Sequence, residues 1–188
     1  AAVVTPDSLL VSGASSAIRD LDLADPWSDP PRVLANRGAS GIDGTLSTAI
    51  GAALAHQRDG GGRAYAIVGD LTFLHDSTGL VLGPAEPRPD LTVVVVNDNG
   101  GGLFSLLEQG DPAHAAAFER VFGTPHGVDL AALCAATDTP HVRAASLGEL
   151  RGELVRPQGI RVVEVRTDRA TTRDLHGRLR DAVTRALG

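Results

Sequence analysis

A chain of 188 residues, 43% hydrophobic and 21% charged, is long enough to bury one sizeable core and sits in the ordinary globular range. A formal charge of −6 with no basic block argues against nucleic acid as a partner, and the longest apolar run, Leu91–Val96, is far too short to span a bilayer. The single cysteine, Cys134, excludes an internal disulfide and a structural zinc; in its apolar, helix-like stretch it reads as a buried, inert thiol in a cytoplasmic protein.

Leu9–Val11 is the first predicted strand. Ser12-Gly13-Ala14-Ser15 turns into a helix whose first residues include Ser15 and Ser16, with Arg19 one turn further along the same face. A strand, a small-residue turn and a helix N-terminus make an anion site; the plainer reading is a serine cap and a solvated arginine. The prolines of Asp25-Pro26-Trp27-Ser28-Asp29-Pro30-Pro31 mark a turn and surface loop. Arg32–Ala35 reads as a short strand leading into Asn36-Arg37-Gly38-Ala39-Ser40-Gly41-Ile42-Asp43-Gly44. The helix that follows carries Leu46, Ala49, Ile50, Ala53 and Leu54 at helical spacing, and it ends in Asp59-Gly60-Gly61-Gly62, which reads as a mobile run.

Two β-branched runs, Ala64–Val68 and Leu91–Val96, form the centre of the chain. The segment between them is long enough for a crossover helix, so the unit reads as βαβ with parallel strands. Ligands of parallel α/β sheets sit beyond the carboxyl ends of the strands. Those ends carry Gly69-Asp70 and Asn97-Asp98-Asn99-Gly100. Two carboxylates at neighbouring strand ends, with a glycine-rich turn exposing carbonyls, suit a hard divalent cation. Gly100-Gly101-Gly102 permit a backbone approach that a side chain would block. The plainer reading makes Asp70 a helix cap and the Asn-Asp-Asn-Gly run a turn.

Downstream, Leu103–Gln109 and His114–Phe122 are predicted short helices separated by Gly110-Asp111-Pro112. Asp129 caps a predicted helix over Leu130–Ala136. His141–Ala145 is strand-like, Leu147–Leu154 helical, and Ile160–Val165 the sixth strand. Thr171–Leu187 closes the chain as an amphipathic helix with Leu175, Leu179, Ala182, Val183 and Ala186 on its apolar face. Six strands alternating with helices predict an α/β, doubly wound, mostly parallel sheet. The chain has no methionine at any position, and it reads as a domain cut from a longer polypeptide.

Gly69-Asp70 followed by Asn97, 27 residues beyond the aspartate, resembles the motif of thiamine diphosphate enzymes. The blocks NRGASGIDGTLSTAIGAALA, GDLTFLHDSTGL, NDNGGGLFSLLEQGDP and GVDLAALC resemble, more narrowly, the SEPHCHC synthases of menaquinone biosynthesis (the MenD type), over nearly the whole chain. The resemblance implies the thiamine diphosphate-binding fold, with residues 1–188 as a single C-terminal, diphosphate- and metal-binding domain. Thiamine diphosphate and Mg2+ or Mn2+ are the implied cofactors. Asp70 and Asp98 would give the metal side-chain oxygens and Gly100 its carbonyl, with Asn97 a lesser candidate. The common family pattern has asparagine where this chain has Asp98; the change keeps an oxygen ligand, adds a negative charge beside the diphosphate, and is expected to shift the metal preference toward manganese. Gly69, Leu71 and Thr72 would meet the diphosphate.

Ile42 matches the bulky wedge that bends the cofactor into its catalytic shape; its plainer reading is a core isoleucine. Ser15, Arg19 and Arg37 match substrate positions, since a guanidinium grips carboxylate as a fork, and Leu103, Phe104 and Leu107 would wall the pocket. His75 and His126 read as surface or structural. The implied activity decarboxylates 2-oxoglutarate and adds the product to isochorismate, forming SEPHCHC in the cytoplasm. The glutamate that serves the aminopyrimidine would come from an N-terminal pyrimidine-binding domain in a homodimer or homotetramer. No segment here resembles that domain, so the fragment alone is expected to be inactive. Two alternatives stand beside this reading. An enzyme of the acetolactate synthase type would share Asp70 and Asp98 but lack the Arg19 and Arg37 pair. A non-catalytic phosphate-binding module is the other, although neither GxxxxGK(S/T) nor GxGxxG occurs.

Overall fold

The computed structural model describes residues 3–24, 27–39, 41–155 and 159–188. Asp25 and Pro26 of the predicted turn, and Ser40 of the Asn36–Gly44 block, lie outside them. In chain order the elements are β1 (Leu9–Ser12), α1 (Ser16–Ala24), β2 (Arg32–Ala35), α2 (Thr45–Arg58), β3 (Ala64–Gly69), α3 (Asp70–His75), β4 (Leu91–Asn97), α4 (Ala115–Phe118), α5 (Leu130–Ala135), β5 (His141–Arg143), α6 (Leu147–Leu154), β6 (Ile160–Arg166) and α7 (Thr172–Leu187). No helix among the described residues is long and apolar enough to cross a membrane. The chain divides into two compact units, Ala1–Asn97 with Val128–Arg166, and Asp98–Gly127 with Thr167–Gly188.

The first unit holds a six-stranded sheet in the order β2-β1-β3-β4-β6-β5, parallel throughout. The predicted doubly wound α/β sheet is therefore present, and it is wholly parallel. A parallel sheet covered on both faces asks for unbroken apolar strands, and the inner strands LLVS, AYAIVG, LTVVVVN and IRVVEVR supply them. The edge strands β2 and β5 are the more exposed ones. Val11, Val68, Val93, Val95 and Val162 meet Leu46, Ala49 and Ala53 of α2, together with Phe73, Leu80, Leu130 and Cys134, in one core. Ala49 and Ala53 let α2 lie close to the strands. Each fully buried Val, Leu or Phe contributes roughly 1.5–3 kcal/mol relative to exposure, so stability is concentrated in the sheet and α2.

The crossover from β3 to β4 differs from expectation. Its helix, α3, has six residues; a 3₁₀ turn over Ser77–Leu80 follows, and regular structure then stops until β4. Pro84, Pro87 and Pro89 lack the N–H groups that a longer helix would need. The glycine run after α2 is tied down: Gly60 N–H donates to the Gln57 carbonyl (3.1 Å), Gly61 to His56 (2.9 Å) and Gly62 to Asp7 (2.9 Å). β5 stops at Arg143, two residues short of the predicted end.

In the second unit the two helices predicted after β4 are replaced by a chain of short turns. These are 3₁₀ turns at Gly102–Leu106, Glu108–Gly110 and Pro112–His114, then α4, then a π-turn over Glu119–Gly123. Pro112 cannot continue a preceding helix, and Asp111 restarts the chain by accepting the Ala113 N–H (2.8 Å). Phe122 gathers Phe104 and Phe118, with ring centroids 5.5 and 6.3 Å away. α7 is amphipathic as predicted, with Leu175, Leu179, Val183 and Leu187 four residues apart and all exposed.

Candidate functional site

The strand order reverses its direction of growth between β1 and β3, since β2 lies on one side of β1 while β3 and β4 follow on the other. In open parallel sheets the ligand crevice forms at that reversal, beyond the carboxyl ends. Ser12 at the end of β1 pairs with Ile67, and Gly69 at the end of β3 pairs with Val96. One edge of the first unit therefore gathers the turn at Ser15, the Asn36–Gly44 segment after β2, Asp70 and Asn97. A Cβ on Gly13 would meet the Val68 side chain at 3.2 Å, so the turn after β1 runs close against β3.

Asp70 is the first residue of α3, only 2% exposed, and its Oδ1 accepts the Leu71 N–H at 2.7 Å. The cap position is Gly69, which makes no side-chain cap bond, so Asp70 is not the helix cap of the plainer reading; it lies inside the first turn, with its carboxylate at the sheet edge. Gly69 leaves open space where a side chain would stand. Thr72 is buried. Ser15 takes a left-handed backbone (φ 69°) just before α1, and the Arg19 Nη1 donates to its carbonyl at 2.6 Å. α1 begins at Ser16, so Ser15 lies before the helix and not among its first residues, and Arg19 folds back onto the Ser15 backbone carbonyl. Arg37 is exposed beyond β2. Ile42 is half-buried and outside the apolar core; its carbonyl accepts the Thr45 hydroxyl (3.1 Å) at the start of α2. The core-isoleucine reading is thereby set aside. Asp76 steadies the same edge by accepting from the Ser47 N–H (2.7 Å) and hydroxyl (3.1 Å). His75 pairs with Asp43 (3.3 Å) on the surface.

Asn97 is buried, and its Nδ2 donates to Glu164 Oε1 at 2.8 Å. Glu164 is fully buried. It also accepts from Arg166 Nε (2.9 Å), pairs with His141 Nε2 (3.1 Å), and has Arg143 Nε at 3.5 Å. Burial pushes the Glu164 carboxyl up, but the bonds from Arg166 and Asn97 and the charges of Arg143 and Arg166 outweigh it and hold it below its ordinary value. Sequence reasoning missed this cluster; its one local signal is a glutamate between valines in an otherwise apolar strand. Cys134, fully buried, is the predicted inert thiol: burial, with the Glu164 charge adding, pushes its pKa up to about 11.

In the second unit, Asp98 to Gly102 form a tight loop. Asn99 and Gly100 are left-handed (φ 60° and 141°). A Cβ on Gly100 would fall 1.9 Å from the Gly123 carbonyl oxygen, and one on Gly102 would fall 1.8 Å from an Asp98 carboxylate oxygen. The close backbone approach at Gly100 requires glycine, whereas at Gly102 the neighbour is the end of a side chain that can turn away. Leu103 and Phe104 are half-buried, while Leu107 is exposed. Arg169, a second residue missed in the sequence, bonds to the backbone of this loop.

Residues 21–165 match the family described as thiamine pyrophosphate enzyme, C-terminal TPP binding domain. A 2-succinyl-5-enolpyruvyl-6-hydroxy-3-cyclohexene-1-carboxylate synthase from Saccharopolyspora erythraea is 58% identical over 180 residues, covering 96% of this chain and 32% of that protein. One of the same name from Rhodococcus erythropolis is 57% identical over 181 residues, covering 95% and 33%. The chain thus spans about one third of the length of the curated relatives it matches. A benzoylformate decarboxylase from Polynucleobacter necessarius superposes with a TM-score of 0.70 at 19% identity, over 89% of this chain and 31% of that one, which shows a shared fold.

Proposed function

The chain belongs to the C-terminal TPP-binding domain family of thiamine pyrophosphate enzymes, and from that membership we propose that it is the diphosphate- and metal-binding domain of a SEPHCHC synthase. In this reading the domain works in a longer cytoplasmic polypeptide, a homodimer or homotetramer, whose N-terminal pyrimidine-binding domain completes the active site. The substrates are 2-oxoglutarate and isochorismate. The observation that carries the reading is Asp70: a carboxylate only 2% exposed, fixed at the end of β3, beside the reversal in strand order where such sheets take ligands.

The chemistry of the individual donors suits the cofactor. Two carboxylates, Asp70 and Asp98, and the Gly100 carbonyl are the hard oxygens that Mg2+ and Mn2+ take. Bound thiamine diphosphate supplies the electron sink for decarboxylation and carbon–carbon bond formation. The chain's own residues hold and orient. Asn97, Gly69, Leu71 and Thr72 line the diphosphate end, and Ile42 is the wedge. Ser15, Arg19 and Arg37 take substrate carboxylates, which distinguishes this reading from an acetolactate synthase type. Leu103, Phe104 and Leu107 give the pocket apolar lining.

The test is titration calorimetry with thiamine diphosphate and Mg2+ on full-length Asp70→Ala and Asp98→Ala. Metal-dependent binding should vanish in both while thermal melting stays that of a folded protein. Unchanged affinity in both variants would return the motif to a helix start and a turn.

A further inference from the structure

Arg169 stands three residues beyond β6, in a 3₁₀ turn (Arg169–Thr171) that Asp168 starts by accepting the Ala170 N–H at 2.9 Å. Its side chain is 16% exposed. One guanidinium nitrogen, Nη1, donates to two successive carbonyls, those of Asp98 (2.9 Å) and Asn99 (2.5 Å), while Nη2 pairs with Glu119. Successive carbonyls of an extended strand point to opposite sides. One nitrogen can reach both only if the chain has left strand geometry between them, and Asn99, at φ 60°, is where it does so. Asparagine and glycine are the residues that take positive φ most readily, so the sequence permits this turn at Asn99 and Gly100, and the bonds around it select it. Further restraints within the same unit include the Gly101 N–H, which donates to the Gly123 carbonyl (2.8 Å), and the Gly127 N–H, which donates to Asn99 Oδ1 (2.9 Å). Of these, only the guanidinium brings charge to the loop, and it is anchored in turn by the Glu119 carboxylate.

We propose that Arg169 is a positioning residue for metal and diphosphate binding: by gripping the Asp98 and Asn99 carbonyls it holds the backbone that presents the Asp98 carboxylate and the Gly100 carbonyl. The proposal rests on the functional reading above, in which Asp98 and Gly100 meet the metal. Arg173 provides an internal control. Its Nη1 also bonds to a carbonyl in this unit, that of Ser105 (2.7 Å), but beyond the ligand-bearing residues.

The experiment measures Mg2+-dependent thiamine diphosphate affinity by calorimetry on the full-length enzyme and on Arg169→Ala, Arg169→Lys and Arg173→Ala. Hydrogen exchange across residues 98–102 is followed in the cofactor-free protein. Losing charge-assisted bonds to the loop should weaken affinity about 10- to 100-fold in Arg169→Ala. Arg169→Lys should recover part of the loss, because an ammonium keeps the charge but not the flat fork, and Arg173→Ala should stay within about threefold, less than one neutral hydrogen bond. Loop exchange should accelerate in both Arg169 variants, and KM for each substrate at saturating cofactor should not move. Wild-type affinity in a folded Arg169→Ala would overturn the proposal, as would an equal loss in Arg173→Ala, which would mark a general structural role. If Arg169→Ala does not fold, wild-type affinity and exchange in Arg169→Lys overturn it instead. An unmutated enzyme that fails to bind the cofactor would defeat the functional reading, and the exchange data would still judge the grip on the loop.

Discussion

Replacing Glu164 tests the buried cluster that fastens the end of β4. In Glu164→Ala, the Asn97 amide, the His141 ring and the Arg166 guanidinium lose an acceptor that lies 2.8–3.1 Å from each. Removing one partner of a buried charged set costs up to about 3–5 kcal/mol, here because the Asn97 amide and the His141 ring stay desolvated, while the half-exposed Arg166 turns to water. Glu164→Gln keeps the shape and one oxygen. Its amide can still serve Asn97 and Arg166 and can donate to a neutral His141, so the cost falls to the loss of charge assistance, about 1.5–3 kcal/mol. Urea unfolding of the 188-residue chain, followed by circular dichroism, reads both values as a lower midpoint at unchanged slope. The pH dependence adds a sign. The carboxyl is held below its ordinary value of 4.5 in the folded state, so its stabilisation is fully present above that value and disappears as pH falls through the folded pKa. The gap between the unmutated chain and Glu164→Gln should therefore be full above 4.5 and narrow as pH falls below it through the lower folded value. A Glu164→Ala chain within about 0.5 kcal/mol of the parent, or a gap that widens in acid, would refute the cluster as a stabilising unit.

Two further outcomes follow from the same structure. In the full-length enzyme, Arg19→Ala or Arg37→Ala should weaken the substrate step about ten- to a hundredfold, as a higher KM or lower kcat for 2-oxoglutarate or isochorismate. Thiamine diphosphate affinity should stay within a factor of a few, and parental kinetics in both variants would remove these arginines from the site. Cys134, with its thiol pushed up to about 11 in a sealed core, should resist a disulfide reagent in the native chain and react on adding denaturant; equal rates in both conditions would contradict its burial.

The sheet was legible in the sequence because its stabilisation is non-directional. A strand covered on both faces needs only unbroken apolar residues, and Leu91–Val96 or Ala64–Val68 announces that without reference to any distant partner. The same logic located Asp70 and Asn97, since the residue that ends such a run marks the sheet edge where ligands collect. It failed where short-range chemistry overrode spacing. The apolar residues of 103–122 suit helices, but Pro112 and the close backbone approaches of Gly123 to Gly100 and of Phe122 to Gly101 accompany a chain of single turns instead.

Glu164 and Arg169 were illegible for a different reason. Their partners lie 67 residues away at Asn97 and 70 residues away at Asn99, and a directional bond over that separation leaves no periodicity to read. The division has a consequence for how substitutions act. Residues that pattern reveals, such as Val93 or Ala53, act through buried area, and their loss lowers stability first. Arg169 grips two carbonyls of a loop that carries no part of the apolar core, so its loss should change the loop's shape while the sheet remains intact. In this chain, a variant with an unchanged unfolding midpoint and a weakened hold on cofactor is therefore the signature of a long-range polar contact. A fall in both together is the signature of the core.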